Sequence, residues 1–399
     1  MLSLLTMKNR VLVSAALFHS LNDAASVVVP MVFPLLYSQQ FIIKKYSHIG
    51  LLSNLGLLAT FFFQLLIAHY AHRFEYKHMV LFSISGISLS LFLITFSGSL
   101  ISMLIFYLVM RTFASFYHPV GIAVVSRAYP GHKIDLAMGI QSAAGNLGVF
   151  LAFIIAGYLA QNFGWKAPLN AFAVTVFLFG ALSFLSARKN SSQADPLFKP
   201  SFSAWRETFL KLKKFIPGFS FGGACWGGTV YYAPSLLNHK FMLPLGNTGV
   251  YMALWIGIGI VITYIYGHLS RLAGRKNIIL IGLAGSTLFL FLLGVFSFKE
   301  GAFLSLFFFG AFLFLIYPAF QSFVGNEIEE KHQTLAFSIV ANIQMFIGSV
   351  IVLVAGFLSD KFGISSPFLV LALMGTFVFS YYFSNRSLFS GKSSNNPSC

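Results

Sequence analysis

Charge is scarce in this chain, and acid scarcer still. Of 399 residues only 9% are charged, ten are Asp or Glu, and two are cysteine. Soluble proteins carry about 25% charged residues. A soluble fold of this length cannot hide what replaces them, because folded surface still grows steeply with mass. Cys225 and Cys399 support neither a disulfide framework nor a cysteine-based metal cluster. No P-loop, zincin or nucleophile-elbow motif occurs, and the closely spaced Gly257 and Gly259 follow no strand, so they are not a nucleotide loop. The reading is that the chain is not an enzyme and needs no cofactor and no metal. The final NPSC is not a prenylation box, since its cysteine comes last.

What fills the space is hydrocarbon. Hydrophobic residues make up 57% of the chain and the mean hydropathy is +0.81. Apolar runs recur along its whole length, each able to cross a ~30 Å hydrocarbon layer as a helix. Twelve spans are expected, near 11–37, 49–70, 78–97, 99–127, 134–160, 166–187, 215–238, 247–268, 277–298, 302–326, 333–358 and 365–386. The first is too long for a signal-peptide core, and a second span follows it, so it is read as retained. The fold class is therefore all-α, a membrane protein of twelve transmembrane helices. A bundle over 1–187 and a bundle over 215–386 are joined by a basic linker, 188–214, and followed by a polar tail, 387–399, expected to be disordered.

The net charge of +16 raises the possibility of a nucleic-acid partner. Placing each basic residue on the twelve spans removes it. With the N-terminus inside, nineteen Lys and Arg fall in inner segments and six in outer loops, with Arg111 inside a span. That bias is the positive-inside rule. It predicts a multi-pass protein of the inner (plasma) membrane with both termini cytoplasmic and no nucleic-acid partner.

Internal repeats divide the chain. GHLSRLAGRK begins at Gly267, and a weaker relative, AHYAHRFEYK, begins at Ala68, 199 residues earlier. GYLAQNFG from Gly157 to Gly164 and GFLSDKFG from Gly356 to Gly363 are again 199 apart, and within each half the spacing is 89. Pro119 in FYHPVG and Pro318 in LIYPAF repeat the 199 offset. Equal spacings describe a three-helix unit used four times with alternate copies inverted, the arrangement that lets two bundles rock around a midplane site. Arg73, Lys77, Gly157, Gly164, Gly267, Gly274, Arg275, Gly356 and Gly363 are the candidate conformational loop residues.

GHLSRLAGRK resembles the loop signature between the second and third helices of each half in major facilitator superfamily transporters. Within that superfamily three stretches resemble the fosmidomycin-resistance branch of efflux proteins: FHSLND with a following PLL, FYHP, and QSAAGNLG. The resemblance implies two pseudo-symmetric six-helix bundles, a cavity lined by the first, fourth, seventh and tenth helices, and export of a small drug-like or organic-anion solute. This chain departs from the pattern at four places. His72 and Arg271 replace the loop aspartate, Val120 stands where a carboxylate is expected, and Arg111 where a small residue is expected.

The first span carries the least expected residues. His19, Asn22, Asp23, Ser26 and Pro30 recur at spacings of 3 and 4, so they share one helical face. Asp23 falls ~18 Å deep at 1.5 Å per residue. A charge there costs at least ~2.5–3.5 kcal/mol and calls for a partner. Arg111 in the fourth span is the one countercharge within the spans, and it shares a face with Ser115 and His118. The expectation is an Asp23–Arg111 pair with His19 level with His118, forming a proton-coupling cluster. Arg111 does not deprotonate at working pH, so it is either the switch partner of Asp23 or a ligand for an anionic group, and the histidines relay the proton or bind substrate. A plainer account makes the pair a tie between helices.

Candidate substrate contacts are Asn22, Ser115, Gln141, Asn146, Trp226, Tyr232, Tyr317 and Gln321. The glycines around Trp226 in FGGACWGG are read as packing and hinge positions. The expected function is proton-coupled efflux of a small drug-like or organic-anion solute by a monomer whose partners are substrate, protons and the lipid bilayer. Two alternatives stand beside it: nutrient uptake by symport or facilitated diffusion, and a transport-dead scaffold or sensor.

Overall fold

With no water in a bilayer core to bond the backbone, every spanning segment closes its hydrogen bonds within itself. The computed structural model describes residues 7–70, 73–129, 134–187 and 202–389, and among these there is helix and no strand. The N-terminal bundle comprises α1 (Met7–Ser38), α2 (Tyr46–Tyr70), α3 (Tyr76–Ile94), α4 (Leu100–Ala114), α5 (Tyr117–Ala128), α6 (Ile134–Phe163) and α7 (Lys166–Ser186). A short helix, α8 (Phe202–Leu212), leads into the C-terminal bundle. That bundle holds α9 (Ile216–Ser235), α10 (Leu245–Ala273), α11 (Arg275–Val295), α12 (Lys299–Glu327), α13 (Glu330–Phe362) and α14 (Ser366–Ser384).

Eleven helical segments are long and apolar enough to cross a membrane, with α4 and α5 together forming one of them. The exception is α9, the expected seventh span. Its Gly222, Gly223, Gly227 and Gly228 dilute its hydropathy, yet nearly all of it is buried among other helices. Little of α9 therefore faces lipid. Gly223 explains part of this burial, because a Cβ there would lie 2.2 Å from the Gln344 carbonyl oxygen on α13.

The fourth span is broken at Ser115–Phe116. Pro119 accounts for the break, since its ring displaces the carbonyl four residues earlier and it has no N–H to donate. Within 188–214, residues 202–212 form α8, which buries Thr208 and Leu212 and exposes Phe202 and Phe209. The tail is ordered for its first residues. Arg386–Phe389 form a 3₁₀ turn, and the buried Phe389 ring meets Phe323 and Tyr382 at centroid distances of 5.0 and 5.2 Å. An aromatic ring at the head of a polar tail has burial to gain. His72, residues 188–201 and the tail from 390, with Cys399, lie outside the described residues.

The halves meet along α2–α13 and α6–α10. Lipid tails are as apolar as leucine, so such contacts depend on close backbone approach through small residues. Here the approach obeys the internal repeat. A Cβ on Gly157 would lie 2.5 Å from the Leu245 carbonyl oxygen, and one on Gly356 would lie 2.9 Å from that of Tyr46. A Cβ on Gly249 would meet the Phe153 carbonyl oxygen at 2.2 Å, and one on Gly50 the Val352 oxygen at 3.0 Å. Each pair is related by 199 residues. Gly157 and Gly356, expected as loop residues, are thus helix-contact residues. The turn function falls to Gly164, Gly274 and Gly363, whose φ values of +81°, +76° and +85° suit glycine alone. Gly267 is helical with open space beside it.

Polar ties seal the end of the molecule remote from the chain termini. Asp360 on α13 accepts the Tyr46 and Ser47 backbone N–H groups at 2.7 and 3.2 Å. By the same two-fold relation, Gln161 on α6 accepts the Gly246 N–H at 2.8 Å. Each caps the first turn of a helix in the other half, where unpaired N–H groups and the helix dipole favour an acceptor. His239 adds contacts to the Pro34 carbonyl at 3.1 Å, Ser38 Oγ at 3.2 Å and the Tyr46 hydroxyl at 3.0 Å. Asn54 donates to the Ser349 carbonyl at 2.9 Å.

Removing the Asp360 carboxylate is expected to loosen this seal by about 1 kcal/mol, or about fivefold in the open population. Asp360→Ala should accelerate thiol labelling of a Ser235→Cys variant, a buried position beneath the seal, with Asp360→Asn intermediate. Equal labelling rates in all three backgrounds would show that the carboxylate is not a tie.

Candidate functional site

Three helices bring the site together. On α1 the 3 and 4 spacing places His19, Asn22 and Asp23 toward the bundle interior, midway along a helix that begins at Met7 and ends at Ser38. The proline break between α4 and α5 carries Tyr117 and His118 to the same depth. On α6, QSAAGNLG supplies the floor. A Cβ on Gly145 would lie 2.6 Å from the His19 ring, and one on Gly148 would lie 2.2 Å from the Ser20 carbonyl oxygen. The first glycine leaves room for the imidazole, and the second lets α6 approach α1.

His19 is gripped on three sides. Its Nδ1 lies 2.8 Å from the Gln141 carbonyl oxygen, its ring stacks on Tyr117 at 4.1 Å with planes 15° apart, and its Nε2 lies 3.0 Å from Asp23 Oδ2. The Tyr117 hydroxyl donates to the Gln141 side-chain oxygen. A carbonyl oxygen can only accept, so Nδ1 must carry a proton. Nε2 and a carboxylate oxygen at 3.0 Å would face each other with lone pairs unless a second proton lay between them. The pair therefore holds one shared proton, as imidazolium with carboxylate or as imidazole with carboxylic acid.

Asp23 Oδ1 accepts from Asn22 Nδ2 at 3.1 Å, and His118 Nε2 stands 3.8 Å away. The two histidine rings are 5.5 Å apart. Although midway through the membrane-spanning bundle, the side chains of Asp23 and His118 are 24% and 41% exposed. Neither side chain is fully packed over. The three side chains offer ligand atoms within 4.8 Å of one another, so a divalent cation could also be held. The contacts are those of hydrogen-bonded ion pairs, which a proton satisfies.

Arg111 does not bridge to Asp23. It is 6% exposed, its Nε donates to Thr60 Oγ1 on α2 at 3.0 Å, and the histidines occupy both carboxylate oxygens' neighbourhood instead. Asp23, Tyr107 and Tyr231 all lie within its electrostatic reach. Gly56 makes the arrangement possible, since a Cβ there would lie 2.5 Å from the Tyr107 ring and 3.1 Å from Arg111 Cγ. The Tyr107 and Tyr231 hydroxyls meet at 3.2 Å, one from each half.

The other expected contacts scatter. Gln141 joins the cluster, and Asn22 touches Asp23. Ser115 is buried and bonds back to the Thr112 carbonyl of its own helix. Tyr232 donates to the Val352 carbonyl at 2.7 Å, which places it in the seal and not in a substrate wall. Tyr317 donates to the Gly222 carbonyl at 2.8 Å and so ties α12 to α9, while Trp226 packs on Trp255 at 5.5 Å. Asn146 is half-buried on α6 and Gln321 exposed on α12. Arg73 lies over the Tyr70 ring, Lys77 over Phe184, and Arg275 opens α11 exposed. Helical spacing singles out neither Tyr117 nor Thr60, although Tyr117 sits beside His118 in FYHP.

Comparison with known proteins agrees with this architecture. The chain is 27% identical over 194 residues to the multidrug resistance protein MdtG of Enterobacter lignolyticus, covering 48% of this chain and 45% of that protein. It is 25% identical over 166 residues to the probable nitrate transporter NarT of Staphylococcus haemolyticus, covering 41% and 42%. These matches thus span less than half the length of either relative. A bacterial homologue of the human lysosomal transporter Spinster, solved inward-facing and unoccupied, superposes with a TM-score of 0.83 at 16% identity, over 96% of this chain and 98% of that one. Residues 14–352 match the model of the Major Facilitator Superfamily. With twelve spans in two related bundles around a buried polar cluster, this chain belongs to the Major Facilitator Superfamily and is a membrane transporter, not an enzyme.

Proposed function

We propose that this transporter couples the movement of a small drug-like or organic-anion solute to protons by alternating access. The observation that carries the reading is the 3.0 Å contact between His19 Nε2 and Asp23 Oδ2, whose geometry calls for a shared proton midway through the bundle. In this reading the basic-rich terminal end faces the cytoplasm, so the sealed remote end faces outward and the terminal end is the one that opens inward. In this state the pair can exchange its proton with the cytoplasm. After the inner end closes and the seal of Asp360, Gln161 and His239 parts, the same pair meets the outer solution. Tyr117 and Gln141 hold the imidazole so that only Nε2 exchanges.

Export is supported by the likeness to the fosmidomycin-resistance branch and by the multidrug resistance relative. Uptake by symport is a second reading, and Arg111 favours it: the site contains a buried guanidinium with no carboxylate bound to it. In either direction a gradient should drive substrate only through the titrating pair. In proteoliposomes, Asp23→Asn is expected to reduce pH-gradient-driven flux at least ~100-fold while leaving gradient-independent counterflow. Undiminished gradient-driven flux in that variant would refute the assigned role. Gly145→Val, which removes no titratable group but fills the His19 ring's space, is expected to reduce gradient-driven flux too. If it leaves the flux unchanged, the placement of His19 by α6 is not needed for coupling.

A further inference from the structure

Arg111 is the charged group that the proton pathway leaves unused. A guanidinium stays protonated at any working pH, and one buried without an anion is costly. Its Nε is taken by the neutral Thr60 hydroxyl, and among the described residues its terminal nitrogens find no acceptor. The groups facing it and Asp23 are His19 on α1, Tyr107 on α4, Tyr117 and His118 on α5, and Tyr231 on α9, with neutral Thr60 on α2 and Gln141 on α6. Asp23 is the one acid among them.

We infer that Arg111 binds a planar oxyanion of the substrate, such as a carboxylate, and that the proton and this anion occupy the site together. This rests on the reading of His19 and Asp23 as the coupling pair and adds the substrate class and the sign of coupling. A planar oxyanion matches the fork of N–H donors on a guanidinium. The Tyr231 hydroxyl of the other half meets Tyr107, one turn from Arg111 on α4, at 3.2 Å, so the second bundle approaches the guanidinium.

The sign follows from charge. With its shared proton the His19–Asp23 pair is neutral, and Arg111 stands as a lone cation that attracts an anion. With the proton lost, the pair becomes an anion within reach of Arg111 and competes for it. Proton and substrate anion therefore help each other to bind, and by linkage the help is mutual. Such a site moves both in one direction. An exchanger would instead have them exclude each other.

The test measures binding with no gradient present, using the purified full chain in lipid nanodiscs. Nitrate serves as the probe because it is planar and ionised at every pH used, with benzoate and benzamide as a charged and neutral pair near neutrality. Binding is followed by thermal stabilisation. Nitrate affinity is expected to rise about tenfold from about pH 8 to about pH 5. In Asp23→Asn, which lacks the competing carboxylate, nitrate should bind with the acid-side affinity throughout. Arg111→Gln should lose at least about tenfold in nitrate affinity, and benzamide should bind more weakly than benzoate. The inference is overturned if nitrate binds no better in acid, or if benzamide equals benzoate in the unaltered protein, a comparison that stands even if Arg111→Gln fails to fold. Intact nitrate binding with no gradient-driven flux would refute proton-driven transport alone. Gradient-driven flux without anion binding would refute the Arg111 site alone.

Discussion

The Gln141 carbonyl oxygen commits His19 Nδ1 to carry a proton, and the rest of the site depends on that commitment. Because Nδ1 is occupied, the contact between Nε2 and Asp23 can exist only with a proton in it. A carboxylate midway through a membrane protein would otherwise be a costly flaw. Several features of the surrounding helices serve this contact. Gly145 and Gly148 bring α6 against α1, Tyr117 clamps both the imidazole and Gln141, and Pro119 breaks the fourth span where His118 must turn toward Asp23. Packing and chemistry are here the same set of residues.

The remote end shows how a repeated unit can build a closure. Glycines at 50 and 249 and at 157 and 356 place backbone against backbone, and the acceptors Asp360 and Gln161 cap helices of the opposite half. None of these contacts gains from the exclusion of water as a soluble core would, so they depend on close approach and on unpaired N–H groups. They are numerous, short-ranged and individually weak. A closure of that kind can part and re-form, which alternating access demands.

The halves agree in architecture and differ in charge. Asp23, Arg111, His19 and His118 all belong to the N-terminal bundle, while the position 199 residues after Asp23 is Gly222, whose carbonyl accepts from Tyr317. The C-terminal bundle approaches the charged site through Tyr231, which shares a hydrogen bond with Tyr107 across the interface. One half thus holds the titrating and cationic groups, and the other reports on them through a hydroxyl.

Hydropathy, the basic bias and the 199-residue repeat suffice to give the twelve spans and two related bundles, because each is a one-dimensional property of the chain. Helical spacing likewise gives the face that carries His19, Asn22 and Asp23, and depth gives the common level of the two histidines. Depth along a span says nothing of rotation about it, which is why Arg111 is read as the partner of Asp23 when it bonds Thr60 on a third helix. The same gap places Tyr232 in a substrate wall when it belongs to the seal, and assigns Gly157 and Gly356 to loops when they join the halves. By itself the sequence determined which residues lie in the membrane and at what depth. Tertiary structure decided which of them meet, since hydrogen bonds of about 3 Å depend on helix rotation and approach that no linear pattern records.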